Sequence, residues 1–103
     1  MPRQIILTPE AKVDASDAYA WYEEKNHGLG DDFLGCLESA LLQIARHPTS
    51  YPVRFDNFRR ILICRFPYAV YFEHDNNAVY IYYVFLCSQS PLKLTKRLRR
   101  PSG

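Results

Sequence analysis

Two groups of cations are the residues whose type and spacing best suit chemistry. Arg59 and Arg60 open an alternating apolar segment, with Arg54 shortly before it and Arg65 further along. Guanidinium groups gathered in this way can line a phosphate-binding concavity, or guard an exposed edge strand with charge, and the spacing alone admits both. Lys93, Lys96, Arg97, Arg99 and Arg100 form a denser cluster near the carboxy terminus, which reads either as a nucleic-acid or target-binding tail or as a solvated one. Tyrosines lie between these groups at Tyr68, Tyr71, Tyr80, Tyr82 and Tyr83. Tyrosine beside arginine stacks on nucleic-acid bases, and the same pair is favoured at protein interfaces.

Residues for other kinds of chemistry do not converge. His27, His47 and His74 have no spacing that suits metal ligation, and Gly28-Leu29-Gly30 lacks the preceding strand of a dinucleotide fingerprint. Neither a Gly-x-Ser-x-Gly elbow nor a phosphate loop occurs. Cys36, Cys64 and Cys87 are odd in number and widely spaced, so they are expected to be reduced thiols that serve as packing residues. No catalytic residue, metal or cofactor is expected.

Positioning the cations and tyrosines requires a scaffold, and the periodicity supplies one. A short apolar strand, Arg3 to Leu7, runs into Thr8-Pro9, a helix cap followed by a residue suited to the first helical position. From Glu10 to Lys25, Ala11, Ala15, Ala18, Trp21 and Tyr22 recur at three- and four-residue spacing, which predicts a helix with an alanine-rich buried face. Asn26 to Gly30 breaks it, and Asp31-Asp32 falls in the first turn of a second helix, whose stripe is Phe33, Leu34, Leu37, Leu41, Ile44 and Ala45 and whose stop is Pro48. Trp21 and Leu41 are expected in the core.

Beyond Pro52 the period falls to two. Arg60 to Phe66, Ala69 to Glu73 and Val79 to Phe85 read as three antiparallel strands, with Pro67 at a bend and Asn76-Asn77 as a tight hairpin in which asparagine tolerates positive φ. Leu92 to Leu98 reads as one or two helical turns. The order β-α-α-β-β-β implies an α+β two-layer domain, an antiparallel sheet packed on a helical hairpin. Its uncovered sheet face is rich in aromatic residues, so something is expected to cover it.

The chain's 103 residues are enough for one core and too few for two. Hydrophobic content of 48% with only 23% charged residues excludes a disordered chain. No apolar run approaches the roughly 18 residues of a membrane span, and Ile5 to Leu7 is too short for a signal-peptide core, so a cytoplasmic location is expected. Net charge is only +2, but the halves differ: residues 1–50 carry eight acids against four bases, and residues 51–103 three against nine. An anionic partner would meet the carboxy-terminal half.

Taken in order, several short motifs resemble the ParE branch of the RelE/ParE superfamily of type II toxin-antitoxin toxins, also called plasmid stabilisation proteins. These are Leu7-Thr8-Pro9-Glu10-Ala11 with Asp14, Leu29-Gly30-Asp31-Asp32-Phe33, Pro48 with Tyr51-Pro52, Phe58-Arg59-Arg60, and Arg65-Phe66-Pro67-Tyr68-Ala69-Val70-Tyr71-Phe72. The resemblance implies a single RelE/ParE-like toxin domain over residues 1–103 with a basic tail at 93–103. It also implies a bacterial toxin that binds DNA gyrase, and a cognate antitoxin lying across the toxin surface. On that basis Arg59, Arg60, Arg65, Lys93, Lys96 and Arg97 are candidates for binding target or nucleic acid, and Tyr68, Tyr71, Tyr80 and Tyr82 for binding antitoxin. The chain departs from the family after its last strand, where Leu86, Cys87, Ser88, Gln89 and Ser90 replace a histidine with two basic residues. Tyr68 stands where the RelE branch has an arginine, and no tyrosine follows Tyr83, so most groups for ribosome-dependent messenger RNA cleavage are missing. A RelE-like mRNA interferase and a degenerate, non-toxic member that retains only antitoxin binding are the alternatives.

Overall fold

The computed structural model describes residues 3–55 and 57–87. Strand β1 (Gln4–Leu7) leads into helices α1 (Pro9–Lys25) and α2 (Leu29–Arg46); a single 3-10 turn (Pro48–Ser50) then precedes β2 (Val53–Phe55), β3 (Phe58–Leu62), β4 (Tyr68–His74) and β5 (Ala78–Leu86). The strands form one sheet in the order β1-β5-β4-β3-β2. The meander β3-β4-β5 is antiparallel as expected, but β1 pairs with β5 in parallel, so the sheet is mixed. The chain reaches that parallel position only by crossing over through the helical hairpin, as a parallel pair requires. The short β2 extends the opposite edge.

Thr8 fixes where α1 begins. Its Oγ1 accepts from the Ala11 amide at 3.2 Å and donates to the Tyr82 carbonyl at 3.1 Å, while its own amide donates to the Ile81 carbonyl at 3.0 Å. One side chain caps the helix and holds it against β5. The buried face of α1 is Ala11, Ala18 and Tyr22, with Ala15 beside them. Trp21 is not in the core, since 52% of it is exposed. Alanines at positions 11, 15 and 18 bring α1 close to its neighbours, Tyr22 continues that face, and the indole, one residue before Tyr22, is turned to the flank.

The second helix starts at Leu29, two residues before the expected aspartates, with Gly28 as its cap residue at φ 89. Its cap comes from the other helix. The Glu23 carboxylate accepts from the amides of Gly28 (3.0 Å) and Gly30 (3.0 Å) and lies 3.1 Å from His27 Nδ1. The Gly28 amide above all holds the Glu23 carboxyl below the ordinary carboxylate range. A lowered folded-state value means the stabilisation is present above the unfolded pKa of about 4.3 and is lost as pH falls through the folded value. Glu23→Gln is therefore expected to lower the melting temperature at neutral pH and to flatten its decline in acid. An acid limb identical to wild type in melting curves from pH 7 to pH 3 would contradict the cap.

At Gly30 the two helices are in close contact. A Cβ there would meet two ring carbons and the backbone carbonyl of Tyr19, each at 2.8 Å. Alanine gains about 1 kcal/mol of helix propensity over glycine, but a clash with backbone cannot be relieved by turning a side chain. Gly30→Ala is expected to destabilise by about 1–3 kcal/mol, measurable by urea unfolding. A gain in stability would mean that the helices have room to separate.

The core lies between the hairpin and one sheet face. Phe33, Ile44, Val70, Phe72, Val79 and Ile81 are fully buried there, and Leu41 is buried with them as expected. In β5 the register with β4 shifts between Tyr71 and Phe72, whose partners are Tyr83 and Ile81, leaving Tyr82 as the extra residue of a bulge. The bulge reverses the alternation, which is how Ile81 and Val84 both face the helices. On the far face, Ala69, Tyr71 and Phe85 form a second buried cluster with Phe58 and Tyr83 against it.

Two turns differ from expectation. The strand expected to run to Phe66 stops at Leu62, and Arg65 lies in the following turn at φ 69. Among the described residues Arg65 is the one non-glycine with positive φ, so Asn76 and Asn77 do not take that conformation. Asp75 closes their hairpin instead: its Oδ1 accepts from the amides of Asn77 (2.8 Å) and Ala78 (2.9 Å), and its Oδ2 from the Tyr80 hydroxyl (2.9 Å).

Candidate functional site

The described cations are dispersed. Arg59 pairs with Phe72 across the ladder and so lies on the helix side of the sheet, where its Nη1 donates to the Tyr51 carbonyl at 2.6 Å. Its bond fastens the segment before β2, an interior duty. Arg60 pairs with Tyr71 and lies on the far face. Arg65 sits at the other end of β3, largely exposed, 3.9 Å from Asp32 Oδ2 and with its guanidinium carbon 5.7 Å from the Phe66 ring centre. These three arginines do not meet at a common point. Lys93, Lys96 and Arg97, and the helical turns expected at Leu92 to Leu98, lie outside the described residues.

The tyrosines divide between two surfaces. Tyr71, Tyr80 and Tyr82 belong to the far side, where Tyr71 is buried, Tyr80 is tied to Asp75, and Tyr82 meets Phe58 edge to face at 5.2 Å. Burial pushes the Tyr82 phenol up, as does its hydrogen bond to Glu73. Tyr68 instead begins β4 on the helix side, with its ring 5.2 Å from Phe33 and 6.1 Å from Tyr22.

Tyr68 also opens onto a feature that sequence reasoning missed. A groove of about 570 Å³ runs between α1 and the ends of β4 and β5. Trp21 and Asp17 line its α1 side, Tyr22 and Tyr68 form its aromatic wall, and Val84 and Leu86 its strand side. It exists because β1 pairs with β5 only at Ala78 to Ile81, so that from Tyr82 onward the β5 edge meets a helix instead of a strand. Asp14 Oδ2 accepts from the Val84 amide at 3.0 Å, doing for that edge what a neighbouring strand would have done. Burial raises the Tyr22 and Tyr68 phenols, which stay neutral hydroxyl donors at physiological pH. The indole of Trp21 lies edge-on to Tyr22 at 5.0 Å with Lys25 Nζ 4.8 Å from its centre. Aromatic surface, a few hydroxyls and an acidic rim beside a strand edge suit a peptide segment with apolar and cationic side chains. The exposed tryptophan was the one signal in the sequence, and it was hidden by its helical spacing.

Cys64 and Cys87 are exposed, so of the three thiols only Cys36 packs against the core. Among the described residues no helix is long and apolar enough to cross a membrane.

Comparison with known proteins agrees with this architecture. The sequence model of a family described as ParE toxin of type II toxin-antitoxin system, parDE, matches residues 5–91. No curated protein sequence gives a significant match. Solved structures similar to the chain include one described as the chromosomal ParDE TA system from P. aeruginosa, with a TM-score of 0.61 at 14% identity, covering 82% of this chain and 95% of that one. At that identity the likeness concerns the fold.

Proposed function

Because the chain belongs to the ParE toxin family of type II toxin-antitoxin systems, we propose that it acts by binding DNA gyrase and is silenced by a cognate antitoxin whose apolar and basic segment occupies the groove along Trp21, Tyr22 and Tyr68. The observation that carries the choice of binding over RNA cleavage is the separation of the described arginines. Stabilising a transferring phosphoryl group takes cations and proton donors converging on one point. Arg59 is engaged by the Tyr51 carbonyl, and Arg60 and Arg65 lie on different faces. A binding surface has no such requirement, and Arg60, Arg65, Lys93, Lys96 and Arg97 serve it as separate contacts. Tyr80 and Tyr82 on the far face extend the antitoxin contact beyond the groove.

Tightly induced expression without antitoxin, with soluble protein confirmed, is the test. Loss of colony formation with intact messenger RNA is expected. Cleaved messages would replace this reading with a ribosome-dependent nuclease, and normal growth with abundant soluble protein would replace it with a non-toxic member of the family.

A further inference from the structure

Helix α2 and the turn between β3 and β4 meet along a short seam whose two cysteines have no part in the roles above. Asp32 and Cys36 are one helical turn apart, so their side chains lie one above the other on the same face of α2. Cys64 and Arg65 are consecutive in the turn. Arg65 Nη2 stands 3.9 Å from Asp32 Oδ2, and beside that pair the Phe33 and Phe66 rings meet edge to face at 5.4 Å. Arg65 set against Asp32 and Phe66 against Phe33 bring this turn onto the α2 face that carries Cys36, and Cys64 is the thiol that acts on Cys36 electrostatically. Cys36 is partly buried against the core, while Cys64 is open to solvent.

We propose that Cys36 and Cys64 are a redox-active pair that closes to an intramolecular disulfide on exposure to a hydroperoxide, stapling α2 to the turn that leads from Arg65 to Tyr68. Cys64, the exposed sulfur, attacks as thiolate: it takes one peroxide oxygen to become a sulfenic acid, the O–O bond breaks, and the other oxygen leaves as water or alcohol. Cys36 then attacks the sulfenic sulfur and gives up its thiol proton. The S–S bond forms as the S–O bond breaks, and the hydroxyl leaves with that proton as water. Two thiols lose two electrons and two protons, and the peroxide is reduced. Burial, above all, raises the Cys36 thiol, which leaves the first attack on peroxide to the exposed Cys64. Closing the bond to about 2.05 Å asks the exposed turn to move, while Cys36 stays on its helix. Cellular thiol reductants reverse the bond by exchange, as for other cytosolic redox-sensing disulfides.

The test treats the purified, reduced full chain with a few equivalents of hydrogen peroxide, alkylates remaining thiols, and maps peptides by mass spectrometry without reduction. A monomer lighter by about two hydrogen masses is expected, with Cys36 and Cys64 in one cross-linked peptide pair, Cys87 alkylated, and dithiothreitol restoring all three thiols. Cys36→Ser and Cys64→Ser should each abolish the cross-link, and Cys87→Ser should leave it. Because position 64 is exposed, Cys64→Ser keeps the test valid even if Cys36→Ser fails to fold. Cys64 driven to sulfinic acid while Cys36 remains alkylatable, a cross-link that includes Cys87, or cross-linked dimers alone would overturn the assignment.

Discussion

Replacing Phe33 with alanine is expected to cost about 3–5 kcal/mol, the largest loss from any single truncation in this fold. Phe33 is fully buried, and its ring links α1, the turn after β3 and the start of β4. It stacks on Tyr22 of α1 at 5.6 Å and meets Phe66 of the turn at 5.4 Å and Tyr68 of β4 at 5.2 Å, both edge to face. Alanine would leave a cavity bounded by three other rings, which cannot all close on it because each is held from another element. For a chain of this length the melting temperature should fall by about 4–8 °C per kcal/mol. Denaturant unfolding gives the free energy directly. A loss below about 1.5 kcal/mol would mean that the surrounding rings collapse into the space, and that the hairpin is held to the sheet mainly through Leu37, Leu41 and Ile44.

Trp21→Ala should do the reverse, leaving stability nearly unchanged and removing antitoxin neutralisation. The indole is half exposed and its ring contacts are Tyr22 and Lys25, so its loss should cost less than about 1 kcal/mol of folding free energy. In the proposed complex it is the large aromatic anchor at the mouth of the groove. Truncating such an anchor costs about 2 kcal/mol or more of binding, a weakening of at least about thirtyfold. Titrating folded wild-type and variant chains with the cognate antitoxin reads that difference. Equal affinities would place the antitoxin elsewhere, with the far face around Tyr80 and Tyr82 as the next surface to probe.

How much of this was legible in the sequence depended on how local the cause was. The start of α1 was, because Thr8-Pro9 carries its own capping chemistry, and so was the stripe of α2, because Phe33 to Ala45 repeats over several turns. The end of β3 was not. Ile61 and Ile63 keep a period of two and Phe66 is also buried, so the apolar pattern runs on past the point where the ladder stops and Arg65 turns the chain. The parallel pairing of β1 with β5 was equally hidden, since register between distant strands leaves no trace in either segment alone. The groove follows from that pairing, being the stretch of β5 that β1 is too short to reach, and no local motif announces it. Glu23 reads as one more solvated carboxylate until α2 folds back and sets two amides over it. Arg59 and Arg60 read as a pair because they are neighbours in sequence, whereas the pleat of a strand sends neighbours to opposite faces.

The most direct measurement of the central proposal is a supercoiling assay in which the purified, folded chain is titrated into DNA gyrase with relaxed plasmid and ATP. Dose-dependent loss of supercoiling is expected, weakened by Arg60→Ala or Arg65→Ala in variants that keep the wild-type melting temperature. Undiminished supercoiling at saturating chain, together with messenger RNA cleavage in translating ribosomes, would contradict it.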